Sequence, residues 1–213
     1  MSWTRVESIH APAIPHEQLG HDWDAWTPAE INELLAGVDA RWSVIGGWAL
    51  DVWRGHQTRD HADLEIATPQ FDFTAIRERL SDCEFFVAGR DGFWPVDGAG
   101  GHYFDFPETW ARDRRSGRWK VDVIRNQYDG DTWVCQAERS VRMPYDEAVA
   151  VSATGIPYLK PELVLLYKGI HLRPGDDRDL SSAVSLLTTE RRSWLANTLL
   201  QVRDPHPWKT VLV

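Results

Sequence analysis

Cysteine is scarce in this sequence, which has only Cys83 and Cys135 among 213 residues. Their separation matches no metal-binding spacing, and two thiols cannot form a dense disulfide framework. We therefore expect both thiols to be buried and reduced, with a single disulfide as the alternative.

Long apolar runs are also missing. None approaches the roughly 20 residues that a membrane helix needs. The N-terminal stretch MSWTRVESIHAPAIPHEQ contains no apolar signal core. These absences predict a soluble cytoplasmic protein that does not enter a membrane.

Positive charge is in short supply, with 23 Lys and Arg against 32 Asp and Glu and a formal net charge of −9. A nucleic-acid polymer demands basic patches, so it is a disfavoured partner, whereas a single nucleotide needs only a metal ion and a few local cations. The acidic surface either suits a cationic small molecule or simply aids solubility. No Ser or Cys nucleophile stands beside a His, which argues against a hydrolase of that type.

The most informative stretch runs from Val44 to Thr68, where paired glycines precede two acidic residues. Gly46 and Gly47 stand where a strand would turn into a helix, so the backbone N–H groups there can approach an anion. Asp63 and Glu65 are two apart on a predicted strand and would project from one face. Two adjacent carboxylates repel, and Mg²⁺ is the usual ion that offsets this repulsion. The alternative is an exposed strand face with two solvated acids.

Asp122 is a further candidate, because it is a charge between Val121 and Val123, where an acid is costly to bury without a partner. The alternative is a surface acid on a hairpin. Arg59 and His61 share the strand parity of Asp63 and either approach the same edge or form a polar loop.

A second group of candidates lies near the C-terminus. Lys168 occurs in an otherwise apolar helix, where an unpaired amine is costly, although a long side chain can also reach solvent. Asp176 and Asp179 are three apart at the start of the next helix. They either hold Lys168 or an acceptor, or one of them caps the helix.

Helical spacing and capping residues predict helices at 27–38, 48–53, 71–80, 161–172, 180–187 and 195–202. Apolar or alternating runs predict strands at 42–45, 63–68, 83–88, 118–126 and 132–136. Asp129-Gly130 predicts a hairpin that joins the last two strands. The stretch 89–117 is expected to hold short strands and loops over an active site.

These motifs together resemble the polymerase-β-type nucleotidyltransferase superfamily. They are the Gly46-Gly47 pair, the run from Arg59 to Glu65 and the later Asp122. The similarity extends over about 27–208 and is greatest to the aminoglycoside and lincosamide nucleotidyltransferase branch. One departure is Glu65, since Asp is the commoner residue at that position.

The resemblance implies an α/β (α+β) fold with a mixed sheet flanked by helices. It predicts an N-terminal arm over 1–26, a catalytic core over 27–154 and a helical subdomain over 155–213. It implies two Mg²⁺ ions held by Asp63, Glu65 and Asp122, with Asp122 as general base. It also implies contacts to a nucleoside triphosphate from Gly46, Gly47, Arg59, His61 and Lys168.

The predicted reaction moves a nucleoside monophosphate, by default AMP from ATP, to a hydroxyl of a small molecule and releases pyrophosphate. An antibiotic is one candidate acceptor. Two competitors stay open: an inactive nucleotide-binding or regulatory module of the same fold, and a toxin–antitoxin nucleotidyltransferase that modifies a macromolecule. Oligomeric state and base preference are not predicted.

Overall fold

The computed structural model describes residues 12–98, 106–126 and 128–212. The chain packs as two compact units, one formed by Met1–Val44 with Asp60–Gln127 and the other by Ile45–Arg59 with Tyr128–Val213. This division concerns packing alone, so the domain boundaries predicted near residues 26 and 154 stay a prediction.

The helices are α1 (His16–Leu19), α2 (Pro28–Leu34), α3 (Gly46–Arg54), α4 (Phe73–Arg79), α5 (Tyr145–Ala148), α6 (Pro161–His171), α7 (Asp176–Ala183), α8 (Thr189–Val202) and α9 (Lys209–Leu212). The strands are β1 (Ser43–Val44), β2 (Glu65–Pro69), β3 (Cys83–Gly89), β4 (Gly92–Pro95), β5 (Glu108–Asp113), β6 (Trp119–Asn126), β7 (Tyr128–Asp129), β8 (Thr132–Val134), β9 (Arg142–Pro144), β10 (Val149–Val151) and β11 (Pro157–Leu159).

The first unit is built on a mixed sheet in which the strands follow the order β1-β2-β6-β5-β3-β4. β2 and β6 are parallel, whereas β6, β5, β3 and β4 pair antiparallel in turn. Val121, Val123 and Ile66 are fully buried on one face. On that face the Arg125 guanidinium lies 5.2 Å from the ring of Phe73 in α4. The helix therefore covers the apolar side of the sheet and leaves the acidic residues on the other.

The N-terminal segment before α2 is packed against this sheet. Ile14 and Phe93 exchange backbone hydrogen bonds of 2.8 and 2.9 Å. Farther along, the Trp119 amide donates to Asp22 O at 3.0 Å, and the Asp24 amide donates to Trp119 O at 2.9 Å. Residues 22–24 therefore pair with the first residue of β6, ahead of the part of β6 that pairs with β2.

The second unit contains the helices α3 and α5 to α9, with two small strand groups. β10 and β11 form an antiparallel pair, and β7, β8 and β9 form a separate sheet. α6 packs against α3, α7 and α8. Leu163, Leu165 and Leu166 of α6 are buried, as its predicted apolar surface on several sides requires.

Most predicted elements are confirmed. Thr27 and Glu30 form a reciprocal capping box at the start of α2, with Pro28 as the first helical residue. α3 ends at Gly55, which adopts the left-handed conformation. α6 begins at Pro161, as predicted.

The predicted hairpin is wrong in part. Asp129-Gly130 does form a turn, but it joins the short β7 to β8. The longer strand β6 pairs instead with β2 on one edge and β5 on the other. These partners satisfy the backbone hydrogen-bonding groups on both edges of β6. The strand with Asp63 also begins later than predicted, at Glu65, so Arg59, His61 and Asp63 do not share one strand face.

Both cysteines are free and buried, as predicted. Burial raises the pKa of Cys83 to about 12, and it also raises the pKa of Cys135. No helix within the described part of the chain has the length and apolarity needed to cross a membrane.

Candidate active site

The acidic face of the first unit is organised by the parallel pair β2 and β6. Glu65 is the direct partner of Asp122, and the Asp122 amide donates to Leu64 O at 2.8 Å. Leu64 and Ile66 are fully buried on one face of the sheet. Because side chains alternate along a strand, Glu65 projects from the opposite face. This register brings Glu65 and Asp122 side by side, and the exposed Asp63 lies just before the strand.

Asp122 is the most strongly perturbed acid of this group. It is 6% exposed, and its Oδ1 has no hydrogen-bond partner among the described residues. Burial raises the pKa of Asp122 well above its usual value, and the charges of Glu108, Glu65 and Asp63 raise it further. A hydrogen-bonding interaction with Trp110 opposes this rise. Burial and repulsion by the neighbouring carboxylates therefore both disfavour the ionised form of Asp122.

Glu108 and Trp110 are members of this face that the sequence did not predict. Trp110 of β5 is the direct partner of Asp122, and its indole N–H donates to Glu108 Oε1 at 3.0 Å. Both side chains are half-buried. Only the pairing of β5 with β6 places them here, and that pairing has no local sequence signal.

A divalent cation fits the chemistry of this face. Among residues 12–98, 106–126 and 128–212, no group of three or more His, Cys, Asp or Glu side chains is placed so that it could hold a metal ion. Nevertheless, Asp122 presents a buried carboxylate oxygen without a partner, and Glu65 and Asp63 add hard oxygen ligands of the type Mg²⁺ prefers. Asp63, Glu65 and Asp122 are therefore the candidate ligands for a metal ion.

The paired glycines lie at the start of α3 in the second unit. Gly46 has φ 63°, a left-handed conformation in which a side chain is strained, and Ile45 before it is extended. Ile45, at the cap position, makes no side-chain hydrogen bond with the first turn of α3. The structure thus forms the predicted strand-to-helix turn, with backbone N–H groups at the positive end of a helix dipole.

Asp179 joins two cationic side chains of the second unit. Arg59 approaches it with two nitrogens, Nε to Oδ1 and Nη2 to Oδ2, each at 3.2 Å. Lys168 Nζ lies 2.9 Å from Asp179 Oδ2 and 3.0 Å from Asp176 Oδ1. Asp176 and Asp179 are 5% and 7% exposed. Lys168 is therefore held by carboxylates rather than extended into solvent.

Opposing effects set the ionisation of this cluster. Burial alone would lower the pKa of Lys168, but hydrogen bonds and charge interactions with Asp179 and Asp176 raise it overall. Burial alone would raise the pKa of Asp179, but Arg59 and Lys168 lower it overall. Lys168 and Asp179 are consequently both charged near neutral pH. Gly175, not an aspartate, occupies the cap position of α7.

Asp51 of α3 is a buried acid of the second unit. It is 3% exposed and accepts hydrogen bonds from the Thr58 amide at 3.0 Å and the Thr58 hydroxyl at 2.6 Å. Arg54 Nη1 also approaches it at 3.3 Å. Asp51 thereby fixes the loop between α3 and Arg59.

The histidines contribute unequally. His61 is half-buried in the segment before β2. His206 is buried and structural, with Nε2 3.0 Å from Gly169 O. Burial lowers the pKa of His171, which packs on Tyr167. His102 lies outside the described residues.

Comparison with known protein families gives a direct match. The sequence model of the aminoglycoside-2''-adenylyltransferase family matches residues 29–181. The chain belongs to this family. A search of curated protein sequences found no match.

Solved structures show the same fold. ANT(2'')-Ia in complex with adenylyl-2''-tobramycin has 15% sequence identity and a TM-score of 0.55, over 83% of this chain and 96% of that chain. The lincomycin-bound lincosamide antibiotic adenylyltransferase LnuA has 18% identity and a TM-score of 0.52, over 75% and 95% of the two chains. The solution structure of the antibiotic-resistance factor ANT(2'')-Ia has 14% identity and a TM-score of 0.52, over 82% and 91%.

The family membership and the shared fold identify the chain as a nucleotidyltransferase with the α/β fold predicted from its sequence. Its family match includes both glycines, Asp63, Glu65, Asp122 and Lys168. It does not include the N-terminal segment before residue 29.

Proposed function

We propose that this nucleotidyltransferase is Mg²⁺-dependent. It transfers a nucleoside monophosphate, by default AMP from ATP, to a hydroxyl of a small molecule and releases pyrophosphate. The acceptor class is an aminoglycoside- or lincosamide-like antibiotic, in line with the acceptors bound by ANT(2'')-Ia and LnuA. The observation that supports this best is the register of Glu65 with the buried Asp122, whose Oδ1 is left without a partner in the described structure.

Asp63, Glu65 and Asp122 are the proposed metal ligands. When bound, two Mg²⁺ ions would neutralise charge on the attacking and leaving oxygens of an in-line displacement. The backbone pairing of β2 with β6 holds Glu65 and Asp122 in fixed relative positions before substrate arrives. This preorganisation reduces the reorganisation needed at the moment of reaction.

Asp122 is also the proposed general base. Its carboxylate is buried on the same face as Glu65, and bound Mg²⁺ would favour its ionised form, the form that accepts the proton of an acceptor hydroxyl. The oxygen freed of that proton would then attack the α-phosphorus of the nucleotide. Pyrophosphate leaves with the electrons of the broken P–O bond.

The proposed nucleotide-binding residues are Gly46, Gly47, Arg59, His61 and Lys168. The glycines offer backbone N–H groups at the start of α3, and Arg59 and Lys168 offer charges suited to a triphosphate. Asp179 and Asp176 have a supporting role, because their ion pairs fix Lys168, and Asp179 also fixes Arg59.

The alternative of an inactive module is not favoured, because the glycine turn, Glu65 and the buried Asp122 are all present within the residues that match the family. Modification of a transfer RNA is also disfavoured, since a net charge of −9 opposes binding to a polyanion.

Pyrophosphate release tests the proposal. Each of ATP, GTP, CTP and UTP would be incubated with Mg²⁺ and either tobramycin or lincomycin, and the acceptor would be analysed by mass spectrometry. We expect acceptor-dependent pyrophosphate release that Asp122→Asn abolishes. Release without any modified acceptor, or full activity of Asp122→Asn, would refute the proposed reaction.

A further inference from the structure

The segment between α8 and α9 packs on the two helices, α6 and α7, whose side chains meet at Lys168. The family match ends at residue 181, so α8, this segment and α9 all lie beyond it. His206 and Trp208 of the segment are 5% and 2% exposed. The roles proposed above assign nothing to these two buried side chains.

His206 closes the C-terminal end of α6. The last carbonyl groups of a helix have no partner within it, and the first of them here, Lys168 O, accepts from the Leu172 amide at 2.7 Å. The next carbonyl, Gly169 O, lies 3.0 Å from His206 Nε2. The Trp208 amide donates to His206 Nδ1 at 3.1 Å, so Nε2 carries the proton that is donated to Gly169 O. The residue after Lys168 is therefore held by a side chain from beyond α8.

Gly169 also lets the Trp208 ring pack directly on α6. A Cβ at Gly169 would lie 2.7 Å from Leu199 Cδ2 and 3.0 Å from Trp208 Cζ3, so there is no room for a larger residue. The absence of a side chain allows α8 and the indole ring to approach the backbone of α6 closely. The ring therefore packs against the turn of α6 that carries Lys168.

The indole N–H of Trp208 reaches the neighbouring helix, α7. It donates to Asp177 Oδ1 at 2.6 Å. Asp177 is exposed and comes directly after the buried Asp176 in the first turn of α7. Trp208 therefore holds α6 through its ring and α7 through its N–H. These are the two helices that the ion pairs of Lys168 with Asp176 and Asp179 connect.

The separation of α6 and α7 determines where the Lys168 amine can lie. Nζ is 3.0 Å from Asp176 Oδ1 and 2.9 Å from Asp179 Oδ2, while the side chain keeps 18% of its surface exposed. A lysine side chain is long and flexible, so two carboxylates on α7 can fix an amine on α6 only while the helices stay in register. A small shift of α7 against α6 would break one ion pair and free the amine to turn away.

We propose that Trp208 is a positioning residue for the nucleotide, because by holding α6 to α7 it keeps the Lys168 amine directed at the triphosphate. The inference rests on the proposed function, in which Lys168 contacts the triphosphate. Trp208 acts through Gly169 and Asp177, so its contribution to nucleotide binding depends on Lys168 being present.

Isothermal titration calorimetry on single and double variants tests this role. The proteins are the wild type, Trp208→Phe, Asp177→Ala, Asp177→Asn, Lys168→Ala and the double variant Trp208→Phe/Lys168→Ala. The wild type is titrated with ATP, GTP, CTP and UTP in the presence of Mg²⁺, and the variants with the nucleotide that it binds most tightly. Circular dichroism spectra establish that each variant is folded.

Two comparisons separate the indole hydrogen bond from other effects. Trp133→Phe is a matched control, since Trp133 is 4% exposed and lies on β8 in the sheet β7-β8-β9. Both Asp177 variants lose the same charge, but asparagine keeps a side-chain oxygen that can accept the indole N–H and alanine does not. Because Asp177 is exposed, neither substitution is expected to prevent folding.

We expect Trp208→Phe and Asp177→Ala each to weaken nucleotide binding by about three- to tenfold, the loss of one hydrogen bond to a charged group. Asp177→Asn and Trp133→Phe are expected to bind as the wild type does. In the Lys168→Ala background, Trp208→Phe should weaken binding no further, because the two residues contribute to binding through the same interaction.

Equal nucleotide affinity of Trp208→Phe, Asp177→Ala and the wild type would overturn the proposal and leave Trp208 a purely structural residue. An equal loss in Trp133→Phe, or in Asp177→Asn, would also overturn it, because general stability or charge would then account for the effect. The same holds if Trp208→Phe weakens binding as much without Lys168 as with it. A wild type that binds none of the four nucleotides would instead refute the proposed function itself.

Discussion

Glu65 and Asp122 face each other across adjacent parallel strands, and Asp122 is buried with one oxygen that has no partner among the described residues. An ionised carboxylate in this position lowers stability until a cation offsets its charge. The acidic pair is thus a place where function and stability conflict.

Replacing the buried acid should therefore stabilise the metal-free protein. We expect Asp122→Asn to increase the free energy of unfolding by about 1–3 kcal/mol at pH 7 with a chelator present, because it removes a desolvated charge. Urea denaturation measures this, with the exposed Asp39→Asn as control. Because the folded-state pKa of Asp122 is raised, its penalty disappears as pH falls through that pKa, and the two curves should converge there. A less stable variant at pH 7 would contradict this account.

Asp179 should behave in the opposite way. Asp179→Asn is expected to lower the free energy of unfolding by about 1–3 kcal/mol at pH 7, because Arg59 and Lys168 both lose a charged partner. The folded-state pKa of Asp179 is lowered from 3.8, so this stabilisation exists above the unfolded value and is lost as pH falls through the folded one. Denaturation at pH 7 and at successively lower pH values below 4 measures the change, with the exposed Asp146→Asn as control. A difference that persists unchanged in acid would argue against the ion pairs as its source.

Lys168 should contribute to nucleotide binding. We expect Lys168→Ala to weaken triphosphate binding by about tenfold or more while the helical circular dichroism signal is kept, because a charged hydrogen bond to phosphate is lost. Calorimetric titration with Mg²⁺-ATP provides the measurement, and the exposed Lys209→Ala serves as control. If Lys168→Ala binds as tightly as the wild type, Lys168 acts only within its ion pairs with Asp176 and Asp179.

Gly46 offers a test that separates backbone strain from ligand binding. Gly46 and Gly37 both have positive φ, 63° and 73°, so alanine at either position is expected to cost about 1–2 kcal/mol of stability. Only Gly46→Ala should also weaken nucleotide binding, because its Cβ blocks the approach of phosphate to the N-terminus of α3. Thermal melts and calorimetry on both variants distinguish the effects. Equal nucleotide affinity of the two variants would remove Gly46 from the binding site.

Asp63, Glu65 and Asp122 could be singled out from the sequence because their signals are local. Asp63 and Glu65 follow a glycine pair, and Asp122 interrupts a run of valines, so each is visible without a partner strand. Glu108 was missed because its position depends on the register of β5 with β6, which is a long-range pairing. The hairpin at Asp129-Gly130 failed for the same reason: the turn formed as predicted, but β6 took other strands as partners.

The cluster around Lys168 was predicted in its composition but not in its geometry. An amine in an apolar helix and two aspartates three apart indicated that these groups meet. The participation of Arg59 could not be predicted, since it requires the loop after α3, fixed by Asp51 and Thr58, to approach α7.

Nucleotide binding by the wild type and by Asp63→Asn, measured by isothermal titration calorimetry with and without Mg²⁺, tests the central claim most directly. Asp63 is exposed and precedes β2, so its loss should leave the fold intact. We predict that the wild type binds one or more of ATP, GTP, CTP and UTP only with Mg²⁺, and that Asp63→Asn loses this binding. Binding that is independent of Mg²⁺, or that is equal in the wild type and Asp63→Asn, would contradict a metal-dependent nucleotidyltransferase site at these carboxylates.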